Sequence, residues 1–200
     1  MTPQLESQIR EWVAHSEGWH EPERFFEMAE LILTRKPKVC AEIGVFGGRS
    51  LVCQAMALKE VGSGQIYGID PWHVQPAIEG ENDANAKWWK ENVDLNQIHN
   101  WCMNGIHKYG LEKQAIVIRS CSQDCYRLFD MGIDHLNLDG NHSEVASCRD
   151  VEFYLPRLNP MGILLFDDAN WQSTQKALAI ISAQCDLVKD GGEYRIYRKR

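Results

Sequence analysis

The sequence is short of several features that would fix its class at once. Its seven cysteines, at positions 40, 53, 102, 121, 125, 148 and 185, form no C-x-x-C pair. Their odd number and their place in apolar patterns read as reduced packing or surface thiols, not as disulfides or a zinc site. Positive charge is in deficit, with 21 Lys and Arg against 28 Asp and Glu, and no basic run exists beyond Arg195, Arg198, Lys199 and Arg200. A nucleic-acid partner is therefore not expected. No apolar run approaches the length of a membrane span, and the opening stretch MTPQLESQIREW has no apolar signal core. The expectation is a soluble chain in the cytoplasm with no membrane partner. Internal repeats and low-complexity segments are missing too, so the 200 residues read as one domain, 1–200, able to bury a sizeable core.

What is present centres on AEIGVFGGRS, Ala41 to Ser50: a buried strand, a glycine turn and the opening of a helix at Leu51. In an α/β protein this puts backbone N–H groups and the positive end of a helix at the carboxyl edge of a sheet, where an anionic or zwitterionic ligand can sit. The dinucleotide fingerprint G-x-G-x-x-G is not met, because the glycines are Gly44, Gly47 and Gly48, and no Gly-Lys-Ser or Gly-Lys-Thr follows to make a P-loop. A nicotinamide-dependent oxidoreductase on a similar sheet is thus an alternative that the turn disfavours.

Around this turn the chain alternates strand and helix. Residues 4 to 14 suit a short amphipathic helix, and a second runs from near Pro22, with Phe25, Phe26, Ala29, Ile32 and Leu33 on one face, to Pro37. The break between them, Ser16 to Glu21, reads as a plain connector, with a border of the cofactor cleft as the alternative. Strands are expected at 38–45, 65–70, 115–119, 133–139 and 162–166, with helices at 51–61, 82–94, after the SCSQD stretch through 128, 144–158 and 173–184. Residues 186–188 and 194–197, joined through Gly191-Gly192, read as a closing hairpin. The fold class is α/β: a Rossmann-like, doubly wound, mostly parallel seven-stranded sheet with an antiparallel last strand. Pro71 to Gly110, rich in Trp and His, is the least regular stretch and reads as a lid or substrate wall, or equally as a segment whose tryptophans form its own local core. Its histidines have no ligand spacing.

Every polar motif falls just after a predicted strand: the glycine loop, Asp70, Ser122-Gln123, Asp139 to His142, and Asp167-Asp168. Asp70 lies about 20 residues beyond Gly48, the spacing at which a strand-end acid meets ribose hydroxyls. Asp139, Asp167 and Asp168 would repel one another unless something positive is present, and a hard divalent cation such as magnesium is the natural candidate.

The E-x-G-x-x-x-G turn resembles motif I of class I S-adenosylmethionine-dependent methyltransferases. From Glu42 to Asp168 the chain resembles the small metal-dependent O-methyltransferases of the catechol type, and in LDGNHSE and LLFDD it is similar to the macrocin O-methyltransferase-like families. The resemblance implies a cofactor site of Glu42, Gly44, Phe46, Gly47, Gly48, Ser50, Asp70, Pro71, Ser122, Gln123 and Asp139. Within it Ser50 would bond the cofactor carboxylate, Asp70 the ribose, and Ser122 and Gln123 the adenine. It also implies Mg2+ on Asp139, Asp167 and Asp168, the last standing where the catechol-type enzymes have asparagine.

Two departures bear on mechanism. The proton-accepting lysine of the catechol type is replaced by His142, and the second acid of many macrocin-type relatives by Asn141. His142 and Asp139 are the candidate catalytic residues, histidine being a competent base near neutral pH. The implied activity is methyl transfer to a hydroxyl of a small molecule. A non-catalytic S-adenosylmethionine-binding module is the other alternative, and a homo-oligomer is left open.

Overall fold

A computed structural model describes residues 1–19, 21–80 and 82–200. The chain opens with α1 (Pro3–His15) and α2 (Pro22–Arg35), then alternates β1 (Val39–Ile43), α3 (Arg49–Val61), β2 (Gln65–Asp70), α4 (Val74–Ala77), α5 (Asp83–Asn92), α6 (Leu95–Lys108), β3 (Ala115–Arg119) and α7 (Ser122–Cys125). It continues with β4 (Ile133–Leu138), α8 (Glu144–Tyr154), β5 (Leu158–Phe166), α9 (Gln175–Ser182), β6 (Cys185–Asp190) and β7 (Arg195–Lys199). The strands form one sheet in the order β3-β2-β1-β4-β5-β7-β6. Neighbours from β3 to β5 run parallel, while β7 is antiparallel to both β5 and β6. The expected sheet with its antiparallel last strand is what forms.

Alternation along the strands divides the core into two layers. Cys40, Ile163 and Leu165 face α1, α2, α3 and α6, whereas Ala41, Leu164 and Phe166 face α8 and α9. The two N-terminal helices belong to the first layer: Ile9, Met28 and Ile32 are almost fully buried there, each contributing about 1.5–3 kcal/mol by burial. Proline opens both, and Thr2 accepts the Leu5 N–H of α1 as an N-cap.

Several boundaries differ from expectation. The stretch from 71 to 110 is more regular than its composition suggested, because α6 is a full crossover helix with Ile98, Cys102, Gly105 and Ile106 buried. The irregular part of this stretch is thereby reduced to α4, α5 and the described residues that join them to the sheet and α6. The helix expected after SCSQD through Leu128 starts earlier, at Ser122, and is one turn of α-helix followed by a 3-10 turn, Tyr126–Phe129. The last crossover helix stops at Tyr154, where Leu155–Arg157 tightens into a 3-10 turn around Pro156, and β5 starts earlier, at Leu158.

Candidate active site

The carboxyl edge of the sheet holds a cavity of about 710 Å3. Its floor is the turn after β1. Gly44 has φ +85°, and a Cβ there would stand 1.9 Å from the Asp139 carbonyl oxygen, so glycine is what lets β1 and β4 approach. Phe46, with φ +49°, is a non-glycine residue in the left-handed region and turns its ring towards Trp19 and Trp89, with centroids at 5.1 and 6.0 Å. Asp70 holds the turn in this shape. Its Oδ2 accepts the N–H groups of Val45 and Phe46, each at 3.0 Å, and its Oδ1 accepts that of Trp72 at 2.7 Å. Burial nonetheless pushes its carboxyl above the usual range, against the pull of these three bonds.

Most of the expected cofactor residues line this cavity: Gly44, Phe46, Gly47, Ser50, Asp70, Pro71, Ser122, Gln123 and Asp139. Two do not. Glu42 lies beneath the floor, fully buried, and accepts hydrogen bonds from Ser50 Oγ at 2.7 Å, Asn137 Nδ2 at 3.2 Å and Gln54 Nε2. Burial, opposed by these bonds, pushes its carboxyl up to about 7. Gly48 caps α3 with φ +78°, and a Cβ there would meet Cys102 Sγ at 2.7 Å, so its place is a packing contact with α6.

The segment before α2 is a wall of the site, the alternative to the plain connector expected there. Glu17, Gly18 and Trp19 line the cavity. Arg49 fastens them, donating to Ser16 Oγ and to the carbonyls of Val13, Ser16 and Trp19. Asn141 ties the loop after β4 to the α4 segment: its Nδ2 lies 3.0 to 3.1 Å from the carbonyls of Pro76, Ala77 and Glu79. Arg149 and Glu79 add a two-pronged ion pair between α8 and the same segment.

Beyond the glycine turn, the strand ends of β4 and β5 bring Asp139, Asp167, Asp168 and His142 together. His142 Nε2 lies 3.1 Å from Asp168 Oδ2 and 3.9 Å from Asp139 Oδ1, and its ring is 5.4 Å from that of Trp171. Burial first, and then the Asp167 charge, raises the Asp139 carboxyl well above its ordinary value. Arg24 of α2 reaches the same point, with Nη1 2.7 Å from Asp167 Oδ1 and the two side chains 7% and 3% exposed.

These observations meet in the comparisons with known proteins. The methyltransferase-domain family matches residues 41–169. The chain belongs to it. An O-methyltransferase from Bacillus cereus, solved with SAH, superposes with a TM-score of 0.69 at 12% identity, over 100% of this chain and 92% of that one. The O-methyltransferase TomG from Streptomyces achromogenes, involved in tomaymycin synthesis and solved with SAM, gives 0.70 at 12% over 100% and 91%. The SAH-bound methyltransferase PaMTH1 from Podospora anserina gives 0.68 at 14% over 100% and 89%. At such identities the likeness is one of fold. No curated protein sequence matches the chain.

In this methyltransferase the acid trio does not fit the divalent cation expected of Asp139, Asp167 and Asp168. A magnesium ion needs oxygen ligands in near-octahedral array at roughly 2.0–2.1 Å. Here Asp167 is committed to the Arg24 guanidinium and Asp168 to His142. Among the described residues no three His, Cys, Asp or Glu side chains are grouped as metal ligands.

Three site residues carried no motif. Arg24 stands four residues before Met28 and eight before Ile32, in register with the buried stripe of α2; a charged residue on an apolar stripe is the signal that could have found it. Asp150, on α8 one turn after the buried Ala146, accepts the Ser122 hydroxyl, and burial pushes its carboxyl up to about 6. Trp19 had no local signal, being set in the wall by Arg49.

Proposed function

We propose that this methyltransferase moves the methyl group of S-adenosylmethionine to a hydroxyl of a small molecule. The observation that carries the reading is continuity: the glycine turn, Asp70, Ser122 and Gln123 share one cavity with the His142–Asp168 pair. The cofactor's amino-acid end is assigned to the turn and Ser50, its ribose to Asp70, and its adenine to Ser122, Gln123 and Asp150. The solved neighbours that hold SAM or SAH on this fold support that assignment.

The chemistry asked of the chain is alignment and proton removal. A bond forms between the acceptor oxygen and the methyl carbon while the carbon–sulfur bond breaks, leaving S-adenosylhomocysteine, and the hydroxyl proton must go to a base. With His142 Nε2–H directed at Asp168, Nδ1 keeps the lone pair that takes this proton. Asp168 is a positioning residue, itself held at φ +46°, a strained conformation of the kind found at functional sites. Asp139 lies between cofactor and acceptor.

Trp19, Phe46, Trp88, Trp89 and Trp171 give the outer cavity an aromatic lining, which suits an acceptor with a flat or apolar face. Closure of the lid over it would exclude water and bring oxygen, carbon and sulfur into line.

The test is release of S-adenosylhomocysteine from S-adenosylmethionine across a panel of phenols and hydroxylated glycosides, with His142→Ala as control. Turnover on a hydroxyl that is lost in the variant is expected. Turnover on amines or thiols only, or full turnover in His142→Ala, contradicts the assignment.

A further inference from the structure

Three carboxylates at the ends of two adjacent strands need positive charge nearby, and the chain supplies it from within. Arg24 enters from the first turn of α2. Its guanidinium lies against Asp167 at 2.7 Å and over the Tyr194 ring at 4.7 Å. A guanidinium suits this place: it is planar, permanently charged, more weakly hydrated than an ammonium, and attracted to an aromatic face. Burial works against the charge, yet Asp167 and Asp139 outweigh it and raise the affinity of Arg24 for its proton. On the other side Asp168 is turned to His142, 3.1 Å away. The trio is thereby split into an arginine-bound half and a histidine-bound half.

We propose that Arg24 is the resident cation of this site, standing in place of a divalent metal, and that the transfer runs without one. Arg24 is a positioning residue. It fixes Asp167, which lines the same cavity as Asp139. The catalytic part of this inference rests on the methyl-transfer reading; the exclusion of the metal does not. Removing Arg24 alone leaves the buried Asp167 carboxylate uncompensated, which is costly to the fold unless a cation replaces it.

The test is an electron paramagnetic resonance titration of Mn2+ into the chelator-treated full chain, with melting temperature followed in parallel. Wild type is expected to take up no Mn2+ at micromolar concentrations and to melt at the same temperature with and without chelator. Arg24→Met is expected to gain Mn2+ affinity by about tenfold or more and to be stabilised by the metal, as any ligand of the native state stabilises it. If Arg24→Met does not fold, Arg24→Met/Asp167→Asn, which removes both charges, is expected to fold and to bind no Mn2+. Micromolar Mn2+ binding to wild type, or a folded Arg24→Met that gains none, overturns the inference. Binding of S-adenosylmethionine, measured separately, tests the methyltransferase reading whatever the Mn2+ result.

Discussion

At the end of β2, Asp70 is surrounded by backbone: three N–H groups of the glycine turn and its neighbour converge on one carboxylate. At the ends of β4 and β5, Asp139, Asp167 and Asp168 meet side chains instead, with Arg24 on one flank and His142 on the other. Backbone donors hold a fixed shape and carry no removable charge, so the Asp70 side suits a ligand bound the same way throughout a reaction. Of the two side-chain partners Arg24 keeps its charge, while an imidazole such as His142 can exchange a proton, so the other side suits the step in which a proton leaves. The two halves touch at Gly44, whose missing Cβ lets the turn lie against the Asp139 carbonyl.

That contact is where the comparison breaks most severely. Gly44→Ala would place a methyl group 1.9 Å from the Asp139 oxygen in a residue at φ +85°. A loss of more than about 4 kcal/mol is expected, read as failure to fold or a large fall in melting temperature. Next, Asp70→Ala leaves three N–H groups without their acceptor, each charge-assisted bond being worth about 1.5–3 kcal/mol. Cofactor affinity should fall by about a hundredfold or more, checked by calorimetry on protein whose circular dichroism shows it folded. His142→Ala should act on the other half alone, lowering kcat by about 10²- to 10⁴-fold with cofactor affinity unchanged.

The smallest effect concerns Glu42, under the floor. Its carboxyl is raised from 4.5 to about 7, so between those values the unfolded chain has released a proton that the folded chain keeps, and stability falls as pH rises through this window. Glu42→Gln removes that term. The melting temperature of the variant relative to wild type should rise from pH 5 to pH 8, by an amount equivalent to a few kcal/mol at most. His135, buried and lowered to about 4, has the opposite sign, with stability lost as pH falls from 6.5 towards 4. It is common to both proteins and cancels from the difference.

The Asp70 half was readable from the sequence because its signals are local: a glycine turn, an acid at fixed spacing, and β3 at Ala115–Arg119 as expected. The α6 helix was not, because Gly105 interrupts its pattern, and the reason for that glycine lies elsewhere in the chain. A Cβ there would stand 2.4 Å from the Trp12 ring. Glu42 was readable as a conspicuous acid but not as a buried one, since Ser50, Gln54 and Asn137 come to it from two further elements. The split of the acid trio was likewise hidden, because Arg24 arrives from a helix far back in the sequence. Carboxylates at neighbouring strand ends can be foreseen from topology, whereas the cation that compensates them is decided by tertiary packing.

The most direct test of the account is calorimetric titration of the purified chain with S-adenosylmethionine, before and after chelation, with NADH as the control ligand. The account predicts saturable S-adenosylmethionine binding that chelation leaves unchanged, and no heat from NADH. Absence of S-adenosylmethionine binding under both conditions, or binding of NADH in its place, would contradict it.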